Sequence, residues 1–593
     1  MLNVASGARV KIGLIGRWLT CIGLCSLLLS GSGCVTGEGA EDFPASRSEA
    51  WRFLNHATFG PTEADVAHLT EVGYTAWLEE QFAAQPDTTA RAFLEQRDAE
   101  LKVDEPANKT RHEQIVEAFY TRALIDRAQL RQRLVFALSE IFVVSLNNAE
   151  LNARPSLVAG YIDTLNNHAF SDYRTLLEAV TKSPAMGIYL SFRANQKEDD
   201  AIGRIPDENY AREVMQLLSI GLHQLNMDGS PVLDGSGQPK PTYTSNDVQG
   251  LAKMFTGWSF YRGPAFSSQT EASCFNGAIS CQDPEGAYRP MVAYPAYHST
   301  SATSFLNVAV PARTGSDPQA DLKIALDTLA NHKNVAPFIS RQLIQRLVTS
   351  NPSPAYISRV AQKFVDTHGS LKEVVKAILM DEDALGSPYH ALSTAGKLRE
   401  PVLRLTALLR AFTFDGPGLK AGTGRVKNAG ITSTSDASLS FGQSPWNSPS
   451  VFNFFRPGYV PPQSKSATLG MVVPEMQIAS EISVTGYVNS VLSLLTNGIG
   501  KVGNQAGVRL VLTEQRPMAQ VPSDLVNEVN NRLLGGIMSA TLQKDIKAAL
   551  ETIPVPALNE AGSNTADINA ALDKRVNAAI LMTAVSPEFL IQK

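Results

Sequence analysis

The sequence predicts a mainly α protein, a multi-helical globular array with loop-rich insertions and a few short strands. Three observations carry that expectation. The composition is globular, with 44% hydrophobic and 18% charged residues, so a sizeable core can be buried. From Trp51 onward most of the chain repeats apolar residues at helical spacing. Those runs are bracketed by capping residues, whereas two long stretches rich in Gly, Pro and Ser lose the period.

At 593 residues the chain has room for several domains of about 100–200 residues each. Residues 1–33 read as an export signal: Arg9, Lys11 and Arg17 form a basic region without an acid, and "WLTCIGLCSLLLS" is an apolar run too short for a stable membrane helix. The run leads into "GSGC", small residues before a Cys as in a bacterial lipoprotein box, with Gly31 where such boxes usually carry Leu. Cys34 is the expected lipidated first residue, and ordinary cleavage nearby is the alternative. Residues 34–49 are small, polar and acidic, as a flexible tether should be. Val35 rather than Asp after the anchor favours an outer-membrane lipoprotein facing the periplasm or the cell surface. The lipid is then the only membrane attachment.

Residues 50–260 form an N-terminal helical segment. In "QLRQRLVFALSEIFVVS", Leu130, Leu134, Leu138 and Ile141 recur at helical spacing, and the run is apolar on more than one side, which predicts a buried helix. "YTSNDVQGLAKMFTGW" places Val248, Leu251, Ala252 and Phe255 on one face, with Asp247 in the first turn where the helix dipole favours an acid. Residues 261–320 are a loop-rich insertion with Cys274 and Cys281 in "CFNGAISC". In an oxidising compartment these two are the expected disulfide. No His or third Cys close in sequence makes them a metal pair. Residues 321–413 return to helix, with Pro337 at one helix start, Ser353 and Pro354 at the next, and a Ser370/Glu373 capping box. Residues 414–470 are a Gly-, Ser-, Pro- and aromatic-rich loop region, and residues 471–593 are helical with loops near 497–507 and 553–566.

The densest polar pattern is "PDENYAREVMQLLSIGLHQLNMDG", residues 206–229. Pro206, Asp207 and Glu208 suit a helix entry, and Gly221 suits its end. Tyr210, Val214, Leu217 and Leu218 make an apolar stripe, and Asn209, Arg212, Glu213 and Gln216 a polar one. Capping does not explain the polar row. It reads as a buried hydrogen-bonded network, as a ligand or catalytic site, or as a plain solvent face. As a catalytic site its members would be Glu213, Arg212 and Asn209. "QLNMDGSPVLDG" matches part of a calcium loop through Asn226, Asp228 and Gly229, but Gly235 stands where the bidentate Glu belongs. Apart from that possible calcium site, no cofactor is expected.

The remaining chemistry is sparse. Net charge is −5, with no Lys/Arg run to make a nucleic-acid face. The nine His residues form no HxH or HExxH pattern, so no metal site is expected from them. No GxSxG elbow occurs, although a triad is defined by geometry rather than order. His298, between aromatic residues of the insertion, reads as a surface loop histidine or a ligand contact. Carboxylates remain: Glu140, Glu208, Glu213, Asp247, Glu400 and Glu475. "SPWNSPSVFNFFRPGY" could line an aromatic cleft for them, with Trp446, Asn447 and Arg456 as ligand contacts beside Asp247 and His298, or it is simply a loop packed over the core.

"PDENYAREVMQLLSIGLHQLN" followed by "YTSNDVQGLAKMFTGWSF" closely resembles the large bacterial domain-of-unknown-function 1800 family. "RFLNHATFGPT", "HKNVAPFISRQLIQRLVTSNPSPAYISRVAQKF", "KLREPVLRL" and "SPWNSPSVFNFFRPGY" fit it too, and the resemblance covers nearly the whole mature chain. It implies an exported, mainly helical protein, often encoded beside a second exported protein of the phosphatase/sulfatase-like superfamily, and it supplies no catalytic residues. Many relatives carry Glu where Gln216 stands and a His-Asp-x-Gly-x-Lys motif where this chain reads "YHSTSATSFL", of which only His298 survives.

Two functions follow as expectations. The first is a binding or assembly protein acting with a co-exported partner at the cell envelope. The second is an extracellular hydrolase or lyase on a polymer, using Arg212 and Glu213.

Overall fold

Among the described residues helices run from Arg47–Ala57 to Pro587–Leu590, and most start on the local signals that the chain carries. The computed structural model describes residues 42–593 except 105, 106, 108, 264–268, 278–280, 282, 387–393 and 421–424. Cys34 and the export signal lie outside the described residues. Ser353 caps the helix Pro354–Asp366 by accepting from the Tyr356 N–H, with Pro354 at its first position. Thr244 and Asp247 form a reciprocal capping box on Ser245–Met254. The fold is mainly α, and no described helix is long and apolar enough to cross a membrane.

Within Pro44–Lys593 the apolar side chains gather into two large cores and one small one. The first core draws on residues from Ala50 to Ala384 and also takes in Trp446. The second joins Phe59, Val116, Tyr120 and Phe136 to residues between Val402 and Phe589. The helix Gln129–Ser139 serves both: Leu130, Leu134 and Leu138 enter the first core, and Phe136 enters the second. That double duty explains why its sequence is apolar on more than one side. Each fully buried Leu contributes roughly 1.5–3 kcal/mol relative to exposure.

Strands are short and antiparallel. Trp258–Ser259, just before the insertion, pairs with Val292–Ala293 inside it, and Thr303–Phe305 pairs with Val308–Val310. The second ribbon lies directly on the helix Ser245–Met254, where a Cβ on Gly250 would stand 1.9 Å from the Ser304 carbonyl oxygen. Cys274 and Cys281 are disulfide-bonded and, with Phe275 and Tyr294, form the small third core.

Two ribbons lie where helix or loop was expected. Ile499–Val502 and Gln505–Leu510 form a hairpin, with Phe414–Asp415 on its far edge. Gly498 (φ +79°) ends the preceding helix, and Gly503 (φ +59°) opens a two-residue Gly-Asn turn, a recognised hairpin signal. Lys397–Leu398 pairs with Ile591–Gln592, and nothing local in the sequence announces that long-range pairing.

Candidate functional site

The stretch 206–221 builds one wall of the site. Asp207 Oδ1 accepts from the Asn209 N–H at 2.8 Å, and the helix Asn209–Glu213 begins there as the sequence indicates. At Val214 the helix widens into a π-helical turn, Val214–Ser219. Gly221 closes it at φ +71°, its N–H donating to the Met215 carbonyl at 2.9 Å. A single α stripe of Asn209, Arg212, Glu213 and Gln216 therefore does not form, because a π turn takes an extra residue and breaks the α register. Asn209 is exposed. Arg212 donates to Glu208 Oε2 at 3.0 Å. Glu213 is 8% exposed, and its Oε2 has no hydrogen-bond partner among the described residues. Burial pushes its carboxyl up, against the opposing charge of Arg212. Gln216 accepts from the Tyr243 hydroxyl at 3.1 Å and lines a cleft of about 320 Å³.

Three other segments complete that cleft. The helix Val335–Leu347 presents Phe338, Arg341, Gln342 and Gln345, the i, i+3, i+4, i+7 face of a helix. The loop 451–458 supplies Phe452 and Arg456, and the end of the helix Gln129–Ser139 supplies Glu140 as floor. A Cβ on Gly221 would meet the Phe338 ring at 2.7 Å, so the wall fits only because that position has no side chain.

Behind the floor lies a buried ionic network. Asn453 Nδ2 donates to Glu140 Oε1 at 3.0 Å, and Arg346 Nε stands 3.7 Å from Glu140 Oε2. Glu140 and Glu400 stand close enough to perturb each other. Gln443 Nε2 donates to Glu400 Oε2 at 2.8 Å. Lys397 Nζ is 3.1 Å from Glu475 Oε1 and 3.6 Å from Glu400 Oε1, and it donates to the Arg346 carbonyl at 2.9 Å. Arg133, fully buried, donates to the same carbonyl at 2.6 Å.

The two adjacent carboxyls are pushed apart in pKa. Burial first, then the Glu400 charge, pushes Glu140 up to about 8. Burial would raise Glu400 too, but Lys397, the adjacent Glu140 carboxyl, and Arg346 outweigh it and hold Glu400 below the usual range. Glu140 is thus a neutral acid at neutral pH and Glu400 a carboxylate.

Of the six carboxylates singled out in the sequence, Glu140, Glu400 and Glu475 converge, while Glu208, Glu213 and Asp247 stand elsewhere. Lys397, Arg346 and the row Arg341–Gln342–Gln345 were missed. For Arg346 and that row the signal is the polar face inside "FISRQLIQRL", legible by the same helical-face rule, whereas nothing local marks Lys397. The cleft is also polar in an unusual way. Arg341 and Arg456 form no salt bridge among the described residues, and Gln342 Nε2 and Gln345 Oε1 are buried without hydrogen-bond partners.

The other expected contacts stand outside this cleft and bond within the protein. His298 is no surface residue: it is 0% exposed, with Nε2 3.0 Å from Asp321 Oδ2 and Nδ1 2.8 Å from the Thr256 carbonyl. Asp247 accepts from the Leu306 N–H at 2.7 Å besides its cap, so it ties the ribbon to the helix. Trp446 is buried edge-on against Tyr161, and its carbonyl accepts from the Leu146 N–H at 2.7 Å. Asn447 bonds back to the Pro445 carbonyl at 2.9 Å. Of that loop only Arg456 reaches the cleft from the predicted set. Trp446 and Asn453 hold left-handed backbone, φ +64° and +62°, strain of about 1–3 kcal/mol each that the surrounding contacts must offset. Asp228 Oδ1 accepts from the Ser230 N–H and hydroxyl, and Asn226 Nδ2 donates to the same hydroxyl, so both serve their own turn. Among the described residues no group of three His, Cys, Asp or Glu side chains could hold a metal ion.

Compared with known proteins, the chain matches over residues 52–591 a family described as "Protein of unknown function (DUF1800)". No curated protein and no solved structure matches it.

Proposed function

The chain belongs to the DUF1800 family of proteins of unknown function, and from that premise we propose a binding or assembly protein of the cell envelope whose working site is the cleft between Gln216 and Arg456. In this reading it is exported, anchored to the outer membrane through lipid on Cys34, and acts beside a co-exported protein of the phosphatase/sulfatase-like superfamily. The anchor is supported by the "GSGC" box, and the partner by the family resemblance. One observation carries the choice of binding over catalysis. The convergent carboxylates Glu400 and Glu475 are locked with Lys397 behind the floor, at 0–2% exposure, whereas the open cleft offers polar groups that have no internal partner. Buried unpaired polar atoms cost about 1–3 kcal/mol each, a cost that a bound ligand would relieve.

A second reading, a hydrolase or lyase, draws on Glu140, an acid kept protonated near neutrality in a cleft that also holds His223. Arg212 and Glu213, the residues of the alternative expected from the sequence, lie outside the lining of this cleft.

The test is a titration of the native protein with 1-anilinonaphthalene-8-sulfonate. The expected result is one saturable site per chain, lost in Leu217→Arg, which fills the cleft with a charged side chain, and retained in Glu140→Gln. Binding unchanged by Leu217→Arg would overturn the reading.

A further inference from the structure

Hydrogen-bond donors dominate the polar groups of the cleft. Arg456 is exposed and stacks its guanidinium on the Phe452 ring at 4.6 Å. Arg341 is half-buried; burial lowers its pKa below the ordinary guanidinium range, and no acid among the described residues pairs with it. Arg346 lies deeper, stacked on Phe455 at 4.8 Å. Gln342 is 8% exposed, and its buried Nε2 donates to nothing in the protein. Against these donors the lining offers a single acid, Glu140, whose Oε1 is already taken by Asn453. Besides Gln216, His223 and Gln345, the rest of the wall is mostly apolar, with Leu217, Leu225, Phe338 and Phe452.

A donor set of this kind selects negative charge. Guanidinium groups suit carboxylate and phosphate geometry, and stacking on aromatic rings fixes their planes. The apolar wall selects a hydrocarbon or aromatic body by burial. We propose that the cleft binds an amphiphilic anion, a single carboxylate, phosphate or sulfate head held by Arg341, Arg456 and Gln342, with its apolar body lying against Leu217, Phe338 and Phe452. This rests on the reading of the cleft as the working site. Gln216 is part of the selection, because a neutral amide on that wall leaves the guanidinium charge unopposed.

The experiment is isothermal titration of the full mature chain with octanoate, octyl phosphate, octanol and octyltrimethylammonium, each below its micellar concentration, and with inorganic phosphate. Octanoate or octyl phosphate should bind one per chain, at least about tenfold tighter than octanol, and octyltrimethylammonium should not bind. Arg341→Gln and Arg456→Gln should each weaken the anion about tenfold while leaving octanol unchanged. Gln216→Glu should do the same by placing a carboxylate on the wall, and its unchanged melting would show that the fold is intact. Octanol binding as tightly as octanoate would overturn the anionic head but leave the cleft as a site. Inorganic phosphate binding as tightly as octyl phosphate would overturn the apolar body. No binding of any probe, or binding unchanged in Leu217→Arg, would remove the cleft reading itself.

Discussion

Glu140 is the residue on which the site turns, because it faces the cleft on one side and Glu400 on the other. Its raised pKa gives a signed prediction. A carboxyl raised from 4.5 to about 8 on folding stabilises fully below 4.5, and that contribution is lost as pH rises through about 8. Glu400, held low, acts in the opposite sense: its contribution is present above its unfolded value and lost as pH falls. Urea midpoints measured from pH 5 to pH 9 should therefore fall for the native chain. In Glu140→Gln the same series should be flatter, since the amide keeps the shape and does not titrate. An equal fall in both would place the proton elsewhere. The groups facing Glu140 from neighbouring elements are Arg346, Arg133, Lys397 and Glu400, with Asn453 as neutral donor.

At the scale of elements, the sequence is most informative where a signal is local. Ser353 with Pro354, and Thr244 with Asp247, start helices at their own positions. The π turn at Val214–Ser219 was not legible, because it depends on what packs around Gly221 and Phe338 rather than on propensity. Glu140, Glu400 and Glu475 carried no spacing rule that would group them, since the fold brings them together across more than three hundred positions. His298 was misplaced for a related reason: an insertion rich in turn residues looks exposed until its ribbon is laid on the helix Ser245–Met254. The disulfide was legible from the Cys count alone. It closes a loop of separation 7, for which loop-closure entropy gives about 2.5 kcal/mol. Cys274→Ser/Cys281→Ser should lose no more than about that amount by denaturant unfolding. Hydrogen exchange should loosen around Phe275 and Tyr294 and leave the cleft amides unchanged, because this small core is separate from the two large ones.

Across the whole molecule, the network adds buried ion pairs between distant parts of the chain. Lys397 is the one ammonium in it, 0% exposed at the side chain and shared between Glu475 and Glu400. Removing one partner of a buried pair leaves an uncompensated charge and typically costs about 3–5 kcal/mol. Lys397→Met should show a loss of that size in urea unfolding, and Lys397→Met/Glu475→Gln should recover part of it. A loss below about 1 kcal/mol would mean that water reaches the site.

The ribbon that joins Lys397–Leu398 to Ile591–Gln592 also sets a timetable. Gln592 Nε2 bonds the Leu347 carbonyl across 245 positions, at the end of the helix that forms the cleft wall. As the chain emerges from its N-terminal side, Glu140 and Arg346 appear long before Lys397, and the Gln592 clasp arrives last. Long-range closures of this kind are slow, and a half-emerged chain exposes unfinished surface meanwhile. The helix Val335–Leu347 that forms the cleft wall is thus clasped only after residues 591–592 have joined it.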